Sequence, residues 1–122
     1  MHERSKLGKA GENIIAKNLE KQGFSILHKN YTKQYGEIDL IACKDNLLIF
    51  VEVKMRKNPM FDLSYLITPS KQKKISKVAK EYVSRYNHNT KTCRFDVALI
   101  VGTKYNHTIT YIPNAFENYH GY

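Results

Sequence analysis

The feature that most constrains this chain is a pair of strand-like runs separated by only two residues. Glu37–Lys44 and Leu47–Arg56 are rich in Ile, Leu, Val and Phe, and Asp45-Asn46 stands between them. Two turn-favouring residues between such runs are a strong hairpin signal, although Asp-Gly would be stronger. A two-residue loop makes Lys44 face Leu47, and each further pairing follows by counting outward. Asp39 then opposes Glu52, and Glu37 opposes Lys54. Alternation puts these four on one sheet face and Ile38, Leu40, Val51 and Val53 on the other.

Directly opposed carboxylates repel. The pair becomes sensible if a divalent cation lies between Asp39 and Glu52. Hard cations such as Mg²⁺ take one or two carboxylates and complete their shell with waters and substrate phosphate. Such an ion can activate water and stabilise charge on a phosphodiester under attack. Lys54 lies two residues beyond Glu52 on the same face, ~7 Å further along the strand. Its ammonium could touch a scissile phosphate or help to deprotonate the attacking water, since a lysine's pKa responds to its neighbours. Plainer readings stand beside these. Glu37 and Lys54 could form an ordinary cross-strand ion pair, which would not conflict with catalysis. A register slip of one residue would send Asp39 and Glu52 to opposite faces.

Around the hairpin, residues 5 to 22 read as a helix, with Leu7, Gly11, Ile14, Ile15 and Leu19 as its apolar stripe and Gly23 as its stop. Glu12 sits on the rim of that stripe, ~20° from Leu19 at ~100° per residue, where a glutamate is usually a solvated edge residue. Phe24–Tyr31 reads as a first strand, with Phe24, Ile26 and His28 on one face, and Thr32–Gly36 as a turn. Pro59 breaks regular structure in the segment 57–67. Thr68 is a good N-cap and Pro69 suits the first position of a second helix. Its apolar stripe is Ile75, Val78, Ala79, Tyr82 and Tyr86. Arg94–Val101 and His107–Ile112 complete the pattern as strands. Helix, three-strand meander, helix and one or two further strands predict an α/β domain with a mixed central sheet.

The second helix adds cations. Lys71 lies four residues before Ile75, on the buried stripe at the positive end of the helix, where a lysine and free backbone N–H groups could hold a phosphate. Lys73, Lys74, Lys77 and Lys80 point outward, as a stripe that tracks a nucleic-acid backbone or as a solvated face. The balance of the whole chain agrees with a polyanionic partner. Among 122 residues, Lys and Arg number 20 against 11 acidic residues, a formal charge of +9. Solubility alone could also account for that charge. The length suits one domain over residues 1–122. No apolar run is long enough to cross a bilayer or act as a secretion signal, which points to a cytoplasmic protein. Cys43 and Cys93 match neither a disulfide framework nor a zinc set.

Gly36-Glu-Ile-Asp-Leu-Ile-Ala42 followed by Leu48-Ile-Phe-Val-Glu-Val-Lys-Met-Arg56 resembles the YraN-type family of small bacterial proteins. These are endonuclease-like members of the PD-(D/E)XK superfamily, similar to archaeal Holliday junction resolvases. The likeness extends to Gly8 with Gly11-Glu12, Ile26-Leu27 with Asn30-Tyr31, Lys71-Gln72, and Arg94-Phe95-Asp96-Val97. It departs from the family at Phe61-Asp62-Leu63-Ser64-Tyr65, a stretch that bears on substrate preference. The resemblance implies a restriction-endonuclease-like fold and an acidic-acidic-acidic-lysine site at Glu12, Asp39, Glu52 and Lys54. Mg²⁺ would be the cofactor, with Mn²⁺ as a substitute, held by Asp39 and Glu52. Lys71, Lys73, Lys74, Lys77 and Arg56 would contact nucleic acid, DNA before RNA, in branched or damaged form. Symmetric cutting would need a homodimer, for which Tyr65, Leu66 and Ile67 are the expected surface. Two other functions remain open: a non-catalytic nucleic-acid-binding protein that keeps the nuclease fold, and an RNA- or ribosome-associated accessory protein.

Overall fold

A computed structural model describes residues 6–57 and 67–117. The backbone forms α1 (Lys6–Lys21), β1 (Ser25–Lys33), β2 (Gly36–Lys44), β3 (Leu47–Arg56), α2 (Pro69–Arg85), β4 (Thr92–Gly102) and β5 (His107–Phe116). The five strands make one sheet in chain order. β3 and β4 run parallel, with α2 in the connection between them, and the other neighbours are antiparallel. This is the mixed α/β sheet expected from the sequence, with β5 continuing through Pro113 to Phe116. Among the described residues, no helix is long and apolar enough to cross a membrane.

The helices cover opposite faces of the sheet. Ile15, Ala16 and Leu19 of α1 pack with Leu40, Ala42, Ile49, Val51, Met55, Ala98 and Ile100. Helix α1 comes close because Gly11 has no side chain: a Cβ there would lie 3.3 Å from Met55 Cβ and Val53 Cγ1. On the other face, Ile75, Val78, Ala79 and Tyr82 of α2 pack with Ile38, Ile41, Leu48, Phe50 and Phe95. Tyr86, expected on the α2 stripe, is the C-cap and is exposed. Leu7's side chain, Pro59 and Phe61–Leu66 lie outside the described positions.

The hairpin register follows from its loop. Lys44 pairs with Leu47 and the ladder runs through Leu40↔Val51, with Asp45 in the left-handed conformation at φ 53. Two local departures alter which way side chains point. A bulge between Ile26 and His28 leaves Leu27 as the extra residue in β1. Phe24 and Ile26 therefore pack on the α1 face, while His28 meets Tyr31, Tyr82 and Tyr86 on the α2 face. A bulge is invisible to a strict period of two, which had put all three on one face. Further on, Asn30 (φ 55) and Asp39 stand between the pairs Lys29↔Leu40 and Tyr31↔Ile38. Alternation is interrupted there, and Ile38 packs on the α2 side rather than with Leu40.

Candidate active site

The α2 face of the sheet opens into a cleft of about 480 Å³ where β2 and β3 run past the start of α2. Its walls include Glu37, Asp39, Glu52, Lys54, Thr68, Ser70, Lys71 and Lys74. The hairpin supplies the carboxylates. Just beyond the last registered pair, Asp39 Oδ2 accepts the Val53 N–H at 2.8 Å. The carboxylate thus takes a ladder donor and is fixed beside Glu52. The helix supplies the cations. Thr68 caps α2, its hydroxyl accepting the Lys71 N–H at 3.2 Å, and Pro69 occupies the first turn. That cap holds Lys71 over the strand ends, and its Nζ lies 2.8 Å from Glu52 Oε2.

Burial makes this group electrostatically tense. Asp39 is 7 % exposed and Glu52 6 %. Burial first, then the Asp39 charge and a hydrogen bond with Asp39, push the Glu52 carboxyl up to about 7, against the pull of Lys71. Burial beside Asp39 thus opposes ionisation of Glu52, a cost that a nearby cation relieves. Burial and a hydrogen bond with Lys71 draw Lys54 below the usual lysine value, although Glu52 and Asp39 pull the other way. For Lys71, burial works downward, but the Glu52 charge and hydrogen bonds to Glu52 and Lys54 outweigh it and raise the pKa.

Two carboxylates crowded on the wall of a cleft fit a hard divalent cation. Among the described residues, no three His, Cys, Asp or Glu side chains gather as a ligand group. The carboxylates at hand are a pair, which is a common complement for Mg²⁺. Glu12 does not line the cleft. It is buried on α1, and its neighbour Gly11 rests on Val53 and Met55 of β3. Glu12 was expected beside Asp39, Glu52 and Lys54; here it is a buried acid on α1, and the cleft walls named above come from β2, β3 and the start of α2. Lys71, expected to hold a phosphate, places its Nζ against Glu52, and its backbone N–H donates to the Thr68 hydroxyl.

The outer cations divide. Lys74 lines the cleft. Lys77 lies over the Tyr35 ring, 4.4 Å from its centroid, and Lys73 and Arg56 are exposed. Glu37 also lines the cleft and accepts a bond from Thr32 Oγ1 at 3.3 Å. Two features escaped the sequence reading. Ser70 and Thr68 are cleft walls, for which the helix-start signal was the available clue. Asn30, across from Asp39, buries its side-chain Oδ1 without a partner among the described residues, and nothing short of the strand pairing points to it.

A family model described as Uncharacterised protein family UPF0102 matches residues 11–100, from α1 into β4. The chain belongs to this family. Curated members similar to it include UPF0102 proteins of Myxococcus xanthus, 36% identical over 94% of this chain and 92% of its relative, and of Dictyoglomus thermophilum, 40% identical over 90% and 96%. A third, from Nitrosomonas eutropha, is 42% identical over 81% and 83%. The family is PD-(D/E)XK nuclease-like, as its resemblance implied. The matched region carries Asp39, Glu52, Lys54 and Lys71 together.

Proposed function

We propose that this protein is a metal-dependent endonuclease that hydrolyses phosphodiester bonds in DNA, branched or damaged DNA above all. The observation that carries this reading is the cleft itself: two buried carboxylates side by side, two lysines against them, and a basic helix at the opening. Asp39 and Glu52 would hold a divalent cation, which when bound would supply the charge that activates water and stabilises a phosphodiester under attack. Val53 keeps Asp39 oriented through its N–H. Lys54, with its pKa lowered, is suited to hold the scissile phosphate or to exchange a proton with the attacking water. Lys74 at the wall and Lys73, Lys77 and Arg56 outside it would neutralise flanking phosphates, with little regard to sequence. Glu12, buried on α1, would be the third acidic residue that the family resemblance implies for the site.

A second reading is a nucleic-acid-binding protein that retains the fold without cleaving. One observation favours it: Glu52 is already neutralised by Lys71. A panel of linear, nicked, flapped and four-way DNA, with matching RNA, incubated with Mg²⁺ or Mn²⁺ separates the two. Endonuclease activity predicts cleavage of at least one DNA by the wild type and a loss of about 10²–10³-fold in Glu52→Gln. Equal cleavage by both proteins would remove Glu52 from the chemistry. Binding without cleavage on every substrate would support the second reading.

The homodimer implied by the resolvase likeness belongs to the first reading, because paired cuts need two centres. Its expected surface is revised. Ile67 is buried against Val97 and Leu99 of its own chain, and Tyr65 and Leu66 lie outside the described residues.

A further inference from the structure

Lys71 stands in the cleft at the place where the proposed metal would have to be balanced. Its position is built rather than incidental. Thr68 and Pro69 start α2 at this point, and the Thr68 hydroxyl ties down the Lys71 N–H. The side chain then runs inward to place Nζ 2.8 Å from Glu52 Oε2, with about a third of its surface open to the cleft. Lys74, one turn on, lines the same cleft and is exposed.

We propose that Lys71 is a built-in counter-cation that competes with the divalent metal for Glu52 and, once displaced, takes a phosphate of the nucleic acid. The inference rests on the metal-dependent reading above and deepens it. A Mg²⁺–oxygen bond is about 2.1 Å long. A cation on Glu52 and an ammonium 2.8 Å from the same oxygen would thus stand no more than about 5 Å apart as like charges in a partly desolvated cleft. One must move, and the four-carbon stem of lysine, open on one side to a 480 Å³ space, can. In that space the anion available to it is the substrate backbone. Metal and nucleic acid then help one another to bind: each removes Lys71 from the other's way or accepts it. By linkage the effect is reciprocal. Without nucleic acid the protein would hold metal weakly, and Lys71 would stay on Glu52 until DNA arrives.

The test is Mn²⁺ binding, followed by calorimetry and by the paramagnetic signal of free Mn²⁺, with no nucleic acid present. Lys71→Met should bind Mn²⁺ more tightly than the wild type by about tenfold, within the usual 5–150-fold range of such couplings. Lys74→Met removes the same charge from the same cleft without touching Glu52, and should change affinity by less than about threefold. An uncleaved duplex, held with Ca²⁺ in place of Mn²⁺, should tighten metal binding in the wild type and lose most of that effect in Lys71→Met. Lys71→Gln provides a second neutral side chain should the methionine variant fold poorly, as checked by circular dichroism. Wild type and both Lys71 variants binding Mn²⁺ equally would overturn the inference and leave the metal site standing. Equal gains from Lys71→Met and Lys74→Met would also overturn it, because general charge would then explain the effect. No Mn²⁺ binding by any of them at millimolar concentration would remove the metal-dependent reading itself.

Discussion

Two clusters of buried carboxylate chemistry lie in this sheet, and they are built on opposite plans. Asp96 in β4 has no exposed surface and is surrounded by donors. Arg94 grips both of its oxygens, at 2.8 and 2.9 Å, the Asn114 N–H donates at 2.9 Å, and the Tyr111 hydroxyl donates as well. These contacts pin the irregular pairing of β4 with β5 between Phe95 and Val97. Asp39 and Glu52 instead crowd one another in a buried cleft and draw on a lysine that reaches in from a different element. A carboxylate with every lone pair answered by fixed donors is a staple. A buried carboxyl whose ionisation is opposed by a neighbouring carboxylate is a site waiting for positive charge.

Breaking each cluster should show the difference most sharply in stability. Asp96→Ala should cost about 3–5 kcal/mol, because it leaves the Arg94 charge without its buried partner and frees the β4–β5 bulge. Glu52→Gln should leave the metal-free protein as stable as wild type or more so at neutral pH. Urea denaturation of both variants is the check, and a large loss in Glu52→Gln would mean that the site is structural.

The next effect is in pH. Glu52 in the folded chain is raised to about 7 from an ordinary 4.5, so the native state binds the extra proton. Its contribution to stability is present in full below 4.5 and is lost as pH rises from there through about 7, a swing on the order of 3 kcal/mol. Thermal melts of metal-free protein should follow that slope, and Glu52→Gln should flatten it. An unchanged slope in the variant would assign the titration elsewhere.

Smaller still is the response to metal. At ten times the dissociation constant, Mg²⁺ or Mn²⁺ adds about 1.4 kcal/mol, a rise of some 4–8 °C for a domain of this size. It should vanish in Asp39→Asn and persist in Asp96→Asn variants that remain folded. The gentlest comparison lies outside both clusters. Lys73→Ala with Lys77→Ala should weaken DNA binding for every sequence and lower the salt slope by about 1.8, or 0.9 for each lost phosphate contact. Loss of only one sequence's binding would point to base readout instead.

The central hairpin was legible without coordinates because everything it needs is local. A two-residue loop sets the Lys44↔Leu47 register, which runs as counted to Leu40↔Val51, and one step beyond it Asp39 turns its carboxylate onto the Val53 N–H. The start of α2 was equally local: Thr68 and Pro69 satisfy or lack the N–H groups that a helix leaves open. Other features depend on what lies across the fold. The bulge that turns His28 to the α2 side arises in pairing with β2, and no period in β1 encodes it. Lys71 lay near a buried stripe, and its contact with Glu52 exists only because α2 packs on the cleft side of the sheet. Ile67 looked like an exposed apolar residue in a loop until Val97 and Leu99 covered it. The sequence by itself determined the carboxylate pair and its lysine, because neighbours in a hairpin are set by counting. Only the tertiary structure decided their burial, the raised pKa of Glu52 and the contact with Lys71, because those come from elements distant in the chain that exclude water and bring charge together.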